Sequence, residues 1–74
     1  MNMVKQGIYK HFKGNQYRVH FVAEHSETLE EFVAYEALYE NKDGKFWIRP
    51  VKSFEEQIER DGKKIRRFEF LENG

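Results

Sequence analysis

The sequence predicts a mainly β protein: a small antiparallel SH3-like barrel of about five strands with one short helix or helical turn near residues 53–60. Three observations carry that reading. Short runs rich in aromatic and β-branched residues are punctuated by turn residues. Gly14-Asn15 and Asp43-Gly44 fall between such runs as hairpin signals. Seven Phe, four Tyr and one Trp in 74 residues recur at spacings that suit alternating faces. Closing the sheet would remove the unpaired edges that a flat sheet exposes.

The first two strands lie in "GIYKHFKGNQYRVHFVAEH". A glycine at the first central position suits a two-residue turn at Gly14-Asn15. That register sets Phe12 opposite Tyr17, Lys10 opposite Val19 and Ile8 opposite Phe21 as the core face, with Ala23. The other face then carries Tyr9, His11, Arg18 and His20, with Lys13 at its rim. "FVAYEALY" forms the third strand and, across Asp43-Gly44, pairs with "FWIRP", which Pro50 ends because it lacks a main-chain donor. Leu29, Phe32, Val33, Glu36, Ala37 and Tyr39 fit helical spacing only in part, so the strand reading is preferred over a helix capped by Thr28 and Glu31. "SFEEQIERDG" is the helical segment: Ser53 and Glu56 form a capping box, Phe54 and Ile58 a buried stripe, and Gly62 the stop. "KIRRFEFL" closes the sheet as the last strand. The expected core is Ile8, Phe12, Tyr17, Val19, Phe21, Val33, Tyr35, Ile48, Phe68 and Phe70.

A chain of this length fits one domain, residues 1–74, burying roughly 60–65 % of the surface of its unfolded form. Cysteine is absent, so neither disulfides nor thiolate zinc sites supplement the core, and the composition suits a reducing, cytoplasmic setting. "MNMVKQGIYK" lacks an apolar run of signal-peptide length, and no window approaches the roughly 20 apolar residues of a membrane span. A soluble protein is expected, with a monomer favoured. Net charge is zero but unevenly placed: residues 1–23 carry +4, 24–43 carry −6, 44–67 carry +4 and the tail −2. Neutrality argues against non-specific nucleic-acid binding while leaving room for a local basic face.

The series "GIYKHFKGNQYRV", "HSETLEEFVAYEALY", "FWIRP" and "RRF", in this order, resembles the bacterial domain-of-unknown-function 1653 family, from Gly7 to Phe68. The resemblance implies a bacterial or phage protein with a compact β-barrel fold. It brings no assigned activity and hence no catalytic residues. Some members of that family are joined to Nudix hydrolase domains, which implies an accessory role near nucleotide chemistry; no such domain fits in this chain.

The densest polar stretch, "AEHSETLEEF", reads as a bend. Ser26 and Thr28 hydroxyls are expected to bond nearby main-chain amides there. Ser26 and His25 are sequence neighbours whose side chains diverge in extended chain, which disfavours serine hydrolysis. His20 and Glu24 share one strand side and His25 takes the other, which disfavours a metal site, and neither metal nor cofactor is expected. The favoured constellation is a mixed basic and aromatic ligand-binding surface: Tyr9, His11, Lys13, Arg18 and His20, bordered by His25, Trp47 and Arg49. Arginine and lysine pair with phosphate or carboxylate, and tyrosine and tryptophan offer stacking area. The sequence therefore points to a non-catalytic binding module for an anionic small molecule, nucleotide or peptide. The alternatives are a nucleic-acid-binding small barrel and a protein-interaction module, with an independent enzyme ranked last.

Overall fold

The computed structural model describes residues 4–73, so the first three residues and Gly74 of the expected single domain lie outside the described residues. Its elements are β1 (Gly7–His11), β2 (Gln16–Glu24), β3 (Glu31–Ala37), β4 (Phe46–Pro50), α1 (Val51–Phe54), β5 (Gln57–Arg60), β6 (Lys63–Arg66) and β7 (Phe68–Glu72). The fold is mainly β and antiparallel with one short helix. Five strands form one sheet in the order β4-β3-β2-β1-β7, and β5 and β6 form a separate hairpin. β4 and β7 are not paired with each other, so the sheet stays open and the expected barrel closure is absent.

The β1–β2 register differs from the sequence expectation, with large consequences. Tyr9 pairs with Tyr17 and Gly7 with Val19. The connection is a longer loop: the His11 N–H donates to the Asn15 carbonyl (2.8 Å), the Gly14 N–H donates to the His11 carbonyl (2.7 Å), and Gly14 takes φ +109°. This is a type I turn closed by a left-handed glycine, an alternative to the two-residue turn assumed from Gly14-Asn15. Placing Tyr9 where Phe12 was expected opposite Tyr17 is an odd shift, and an odd shift exchanges the two faces of a strand. A bulge then intervenes in β2: Val19 pairs with Tyr35 but Phe21 with Ala34, leaving His20 as the extra residue. Gln6 Nε2 donates to the carbonyl of that bulged residue at 2.7 Å. Beyond it Val22, opposite Val33, turns inward, while Phe21 turns outward.

The inner face of the sheet holds the core. Tyr9, Val19, Val33, Tyr35 and Phe68 pack with Val51 and Phe54 of α1, and Phe54 stacks on Phe68 with ring centroids 4.1 Å apart. Phe54 is buried as expected, and Tyr9, assigned to the opposite face, is buried too, whereas Phe21 is 57 % and Ile48 69 % exposed. Gly7 sits where β1 crosses β7; a Cβ there would lie 2.6 Å from the Glu72 carbonyl oxygen, so only glycine allows the approach.

The helical segment is shorter and earlier than expected. α1 starts directly after Pro50, whose fixed φ suits a helix entry, and ends at Phe54. No capping box forms, because Ser53 lies within the helix and not before it; its hydroxyl accepts from Arg49 Nη1 (2.9 Å). Asp61 (φ +54°) and Gly62 (φ +76°) make a two-residue hairpin turn in which Ile58 pairs with Ile65. The Asp-Gly pair read as a helix stop is thus a strand reversal, and "KIRRFEFL" is split between β6 and β7. Arg60 Nη1 donates to the Phe12 carbonyl (3.2 Å), tying this hairpin to the β1–β2 loop. Among the described residues no helix is long and apolar enough to cross a membrane.

Candidate functional site

The odd register shift and the bulge redistribute the residues singled out from sequence. Tyr9 is a buried core residue: its hydroxyl donates to the Lys5 carbonyl (2.9 Å) and its ring meets Phe54 and Phe70 edge-on. Arg18 and His20 lie on the outer face; Arg18 is opposite Glu36, and the bulged His20 reaches the Glu36 carboxylate through its ring. Lys13 is exposed in the β1–β2 loop. His25 lies in the β2–β3 bend, where its Nδ1 accepts the N–H groups of Glu27 (3.1 Å) and Thr28 (3.3 Å). Thr28 Oγ1 accepts from the Glu30 N–H (3.2 Å), while the bend-forming role assigned to Ser26 is filled by the His25 ring. Leu29, at φ +63°, completes the reversal with its N–H on the His25 carbonyl.

His11 and Arg49 both lie against Phe68 on the inner face, and Trp47 is partly buried against the same core. β1 presents His11 opposite Phe68, and β4 presents Trp47 opposite Tyr35 and Arg49 opposite Val33. The His11 ring lies 4.9 Å from Phe68 and 6.4 Å from Tyr17, and the Arg49 guanidinium sits 5.7 Å over the same Phe68 ring. Arg49 donates to hydroxyls: Nε to Tyr35 (3.4 Å) and Nη1 to Ser53 (2.9 Å). Arg67 joins the group from the residue that links β6 to β7. Its Nη2 lies 3.5 Å from Glu56, and its Nε–H is buried with no acceptor among the described residues.

Six residues that sequence reasoning left out of the site complete this wall. Tyr17 and Tyr39 share a hydrogen bond between hydroxyls at 2.8 Å, and Asn41 Nδ2 donates to the Tyr39 oxygen at 3.3 Å. Tyr35, Ser53 and Arg67 are the others. The available signal was chemical: a tyrosine at a core position must bond its hydroxyl, so tyrosines that fall on a core face mark where polar partners converge.

The electrostatics follow from that crowding. Burial, reinforced by the positive charges of Arg49, Arg67 and Lys13, pushes the His11 pKa below its ordinary value. Burial and the bond to Tyr39 push the Tyr17 phenol well up, so it remains protonated at neutral pH. His11 Nδ1 is engaged by the Lys13 N–H (3.2 Å). The cluster therefore offers hydrogen-bond donors and ring faces, not an activated nucleophile.

The outer face is different. Ala34 lies in a row between Phe21 on β2 and Ile48 on β4, giving a floor with tall apolar walls on both sides. The open groove of about 590 Å³ is lined by His20, Phe21, Ala34, Tyr35, Phe46, Trp47 and Ile48. At its rim Glu36 bonds His20 (2.7 Å) and Lys45 (3.1 Å), and those two bonds hold its carboxyl below the usual range.

Residues 7–70 match the model of a protein family described as a protein of unknown function, DUF1653. The chain belongs to that family. A DUF1653 protein from Bordetella bronchiseptica, seen in a crystal structure, has the same architecture, with a TM-score of 0.87 and 26 % sequence identity over 93 % of this chain and 88 % of that one. No functionally curated protein matches the chain. In this chain the motifs "FWIRP" and "RRF" meet where the Arg49 guanidinium of the first lies over the Phe68 ring of the second.

Proposed function

We propose that the chain is a non-catalytic binding module whose inner face takes a small anion, a phosphate or carboxylate attached to a flat ring. The observation that carries this reading is the convergence of Arg49, Arg67 and His11 around Phe68, with Arg49 spending its bonds on neutral hydroxyls and Arg67 keeping a buried donor without an acceptor. Guanidinium groups bind phosphate and carboxylate through paired, charge-assisted hydrogen bonds, and a buried donor without a partner is costly, so an anion placed there gains both terms. The Tyr17–Tyr39 hydroxyl pair adds donors. Burial first, then the cationic neighbours, lower the His11 pKa; an anion that offsets those charges raises it again, so binding is coupled to proton uptake.

The test is calorimetric titration with inorganic phosphate and with adenosine monophosphate, on the parent chain and on Arg49→Gln. Saturable binding that falls by tenfold or more in the variant, with the melting temperature of the variant reported alongside, supports the reading. Equal affinity in the two chains refutes it. A short single-stranded oligonucleotide in the same titration, compared at low and physiological salt, distinguishes a nucleic-acid backbone from a free anion, since many phosphate contacts give a steep salt dependence.

A further inference from the structure

β4 is a sheet edge, and its register determines what that edge offers. The Ala37 N–H donates to the Lys45 carbonyl (2.8 Å), and Tyr35 and Val33 face Trp47 and Arg49. Antiparallel pairs alternate between bonded and non-bonded positions, so Lys45, Trp47 and Arg49 direct their main-chain groups at β3, while Phe46, Ile48 and Pro50 direct theirs outward. The side chains of these outward residues stand on the outer face, and Phe46 and Ile48 are each 69 % exposed. The opposite edge, β7, carries Glu69 and Glu72, charges of the kind that discourage strand addition. The single charge within β4, Arg49, is drawn to the inner face by Ser53 and Tyr35.

We propose that β4 pairs antiparallel with β4 of a second copy of this chain, about a two-fold axis at Ile48. The strand is self-complementary in that register, the one that overlaps it along its whole length. The Ile48 N–H meets the Ile48 carbonyl of the second copy, and reciprocally. The Phe46 N–H meets the Pro50 carbonyl, so the donor that proline lacks falls at the strand end, where the chain turns into α1. On the outer face Ile48 lies beside Ile48 and Phe46 beside Pro50, an apolar row with no like charges opposed. On the inner face Arg49 comes opposite Trp47 of the second copy, a cation beside an indole. The contact is isologous and closed, and it joins two five-stranded sheets into one. It departs from the monomer favoured by the sequence, and it rests on edge geometry alone, independent of anion binding.

Sedimentation equilibrium over a wide concentration range, on the parent chain and on Ile48→Glu and Ile48→Lys, tests the proposal. The exposure of Ile48 predicts that both variants keep the parent's circular dichroism and melting transition measured at a concentration where the parent is monomeric. The parent is expected to form dimers and each variant alone to be monomeric, because like charges meet on the axis. An equimolar mixture of the two variants is expected to recover a one-to-one dimer. A parent that stays monomeric throughout, an Ile48→Glu variant that dimerises like the parent, or a mixture that forms no heterodimer would each overturn the pairing.

Discussion

The inner and outer faces of the sheet carry similar side chains in opposite arrangements. On the inner face Tyr9, Tyr17 and Tyr35 pack edge to face against Phe54, Phe68 and Phe70, and their hydroxyls bond Lys5, Tyr39 and Arg49. On the outer face Phe21, Phe46 and Ile48 stand largely in solvent around Ala34, and His20, Glu36 and Lys45 form a polar cluster at the rim. An aromatic ring is thus packed into the core in one place and left largely in water in the other. The difference arises from parity along β1 and β2, since residue types alone do not separate Phe21 from Phe68.

The largest expected effect is the one that contrasts the faces most sharply. Phe68→Ala removes a ring that stacks on Phe54 and meets His11, Tyr17 and Tyr35, and the loss is expected to be about 3–5 kcal/mol, close to the whole stability of a domain this small. Phe21→Ala, in contrast, is expected to fall within about 0.5 kcal/mol of the parent in chemical denaturation, because its ring is already in water. A comparable loss for both would mean that the outer face is covered in the folded protein.

Gly7→Ala comes next. The added methyl would meet the Glu72 carbonyl and the Phe70 ring, each at 2.6 Å, and residues with side chains rarely adopt φ +147°. Separation of β1 from β7 is expected to cost about 1–3 kcal/mol, read as a lowered denaturation midpoint. His25→Ala deprives two amides of the β2–β3 bend of their acceptor and is expected to cost about 0.5–2 kcal/mol, in the manner of a lost cap, whereas Ser26→Ala should leave the melt unchanged.

The smallest effect is a pH dependence. The folded-state pKa of His11 is depressed below 6.5, so the fold favours the neutral ring. Its contribution to stability is fully present above pH 6.5 and is lost as pH falls through the depressed value; His11→Gln should remove that segment of the stability–pH curve. Anion binding carries the opposite sign. A bound anion favours the imidazolium, so affinity is expected to rise as pH falls across the same interval, and this rise should vanish in His11→Gln.

Much of this architecture was legible in the sequence, and what was misread has specific physical causes. The strands that became β1 to β4 follow from aromatic alternation and turn residues, and Trp47 and Arg49 were correctly placed on one strand, with Tyr35 opposite Trp47 in the observed pairing. The face of the first hairpin was not recoverable from Gly14-Asn15, because a two-residue turn and a three-residue loop both use that glycine and differ by an odd step in register. The bulge at His20 leaves no mark in composition, yet it turns Phe21 outward. Asp61-Gly62 illustrates the remaining ambiguity: glycine ends helices and reverses hairpins alike, and the pairing of Ile58 with Ile65 decides between them. The basic cluster was missed in part because Arg67 reaches it only through the loop bonds that join Phe12, Arg67 and Glu56.

The central claim is that ligand recognition belongs to the inner face, and nuclear magnetic resonance tests it most directly. In a titration of the labelled parent chain with adenosine monophosphate, the account predicts saturable shifts of the Trp47 indole N–H, the Arg49 side chain and the amides of His11 and Arg67, with Phe21 and Ala34 unmoved. Shifts confined to Phe21, Ala34 and Ile48, or no saturable shift at any of the inner-face groups, would contradict it.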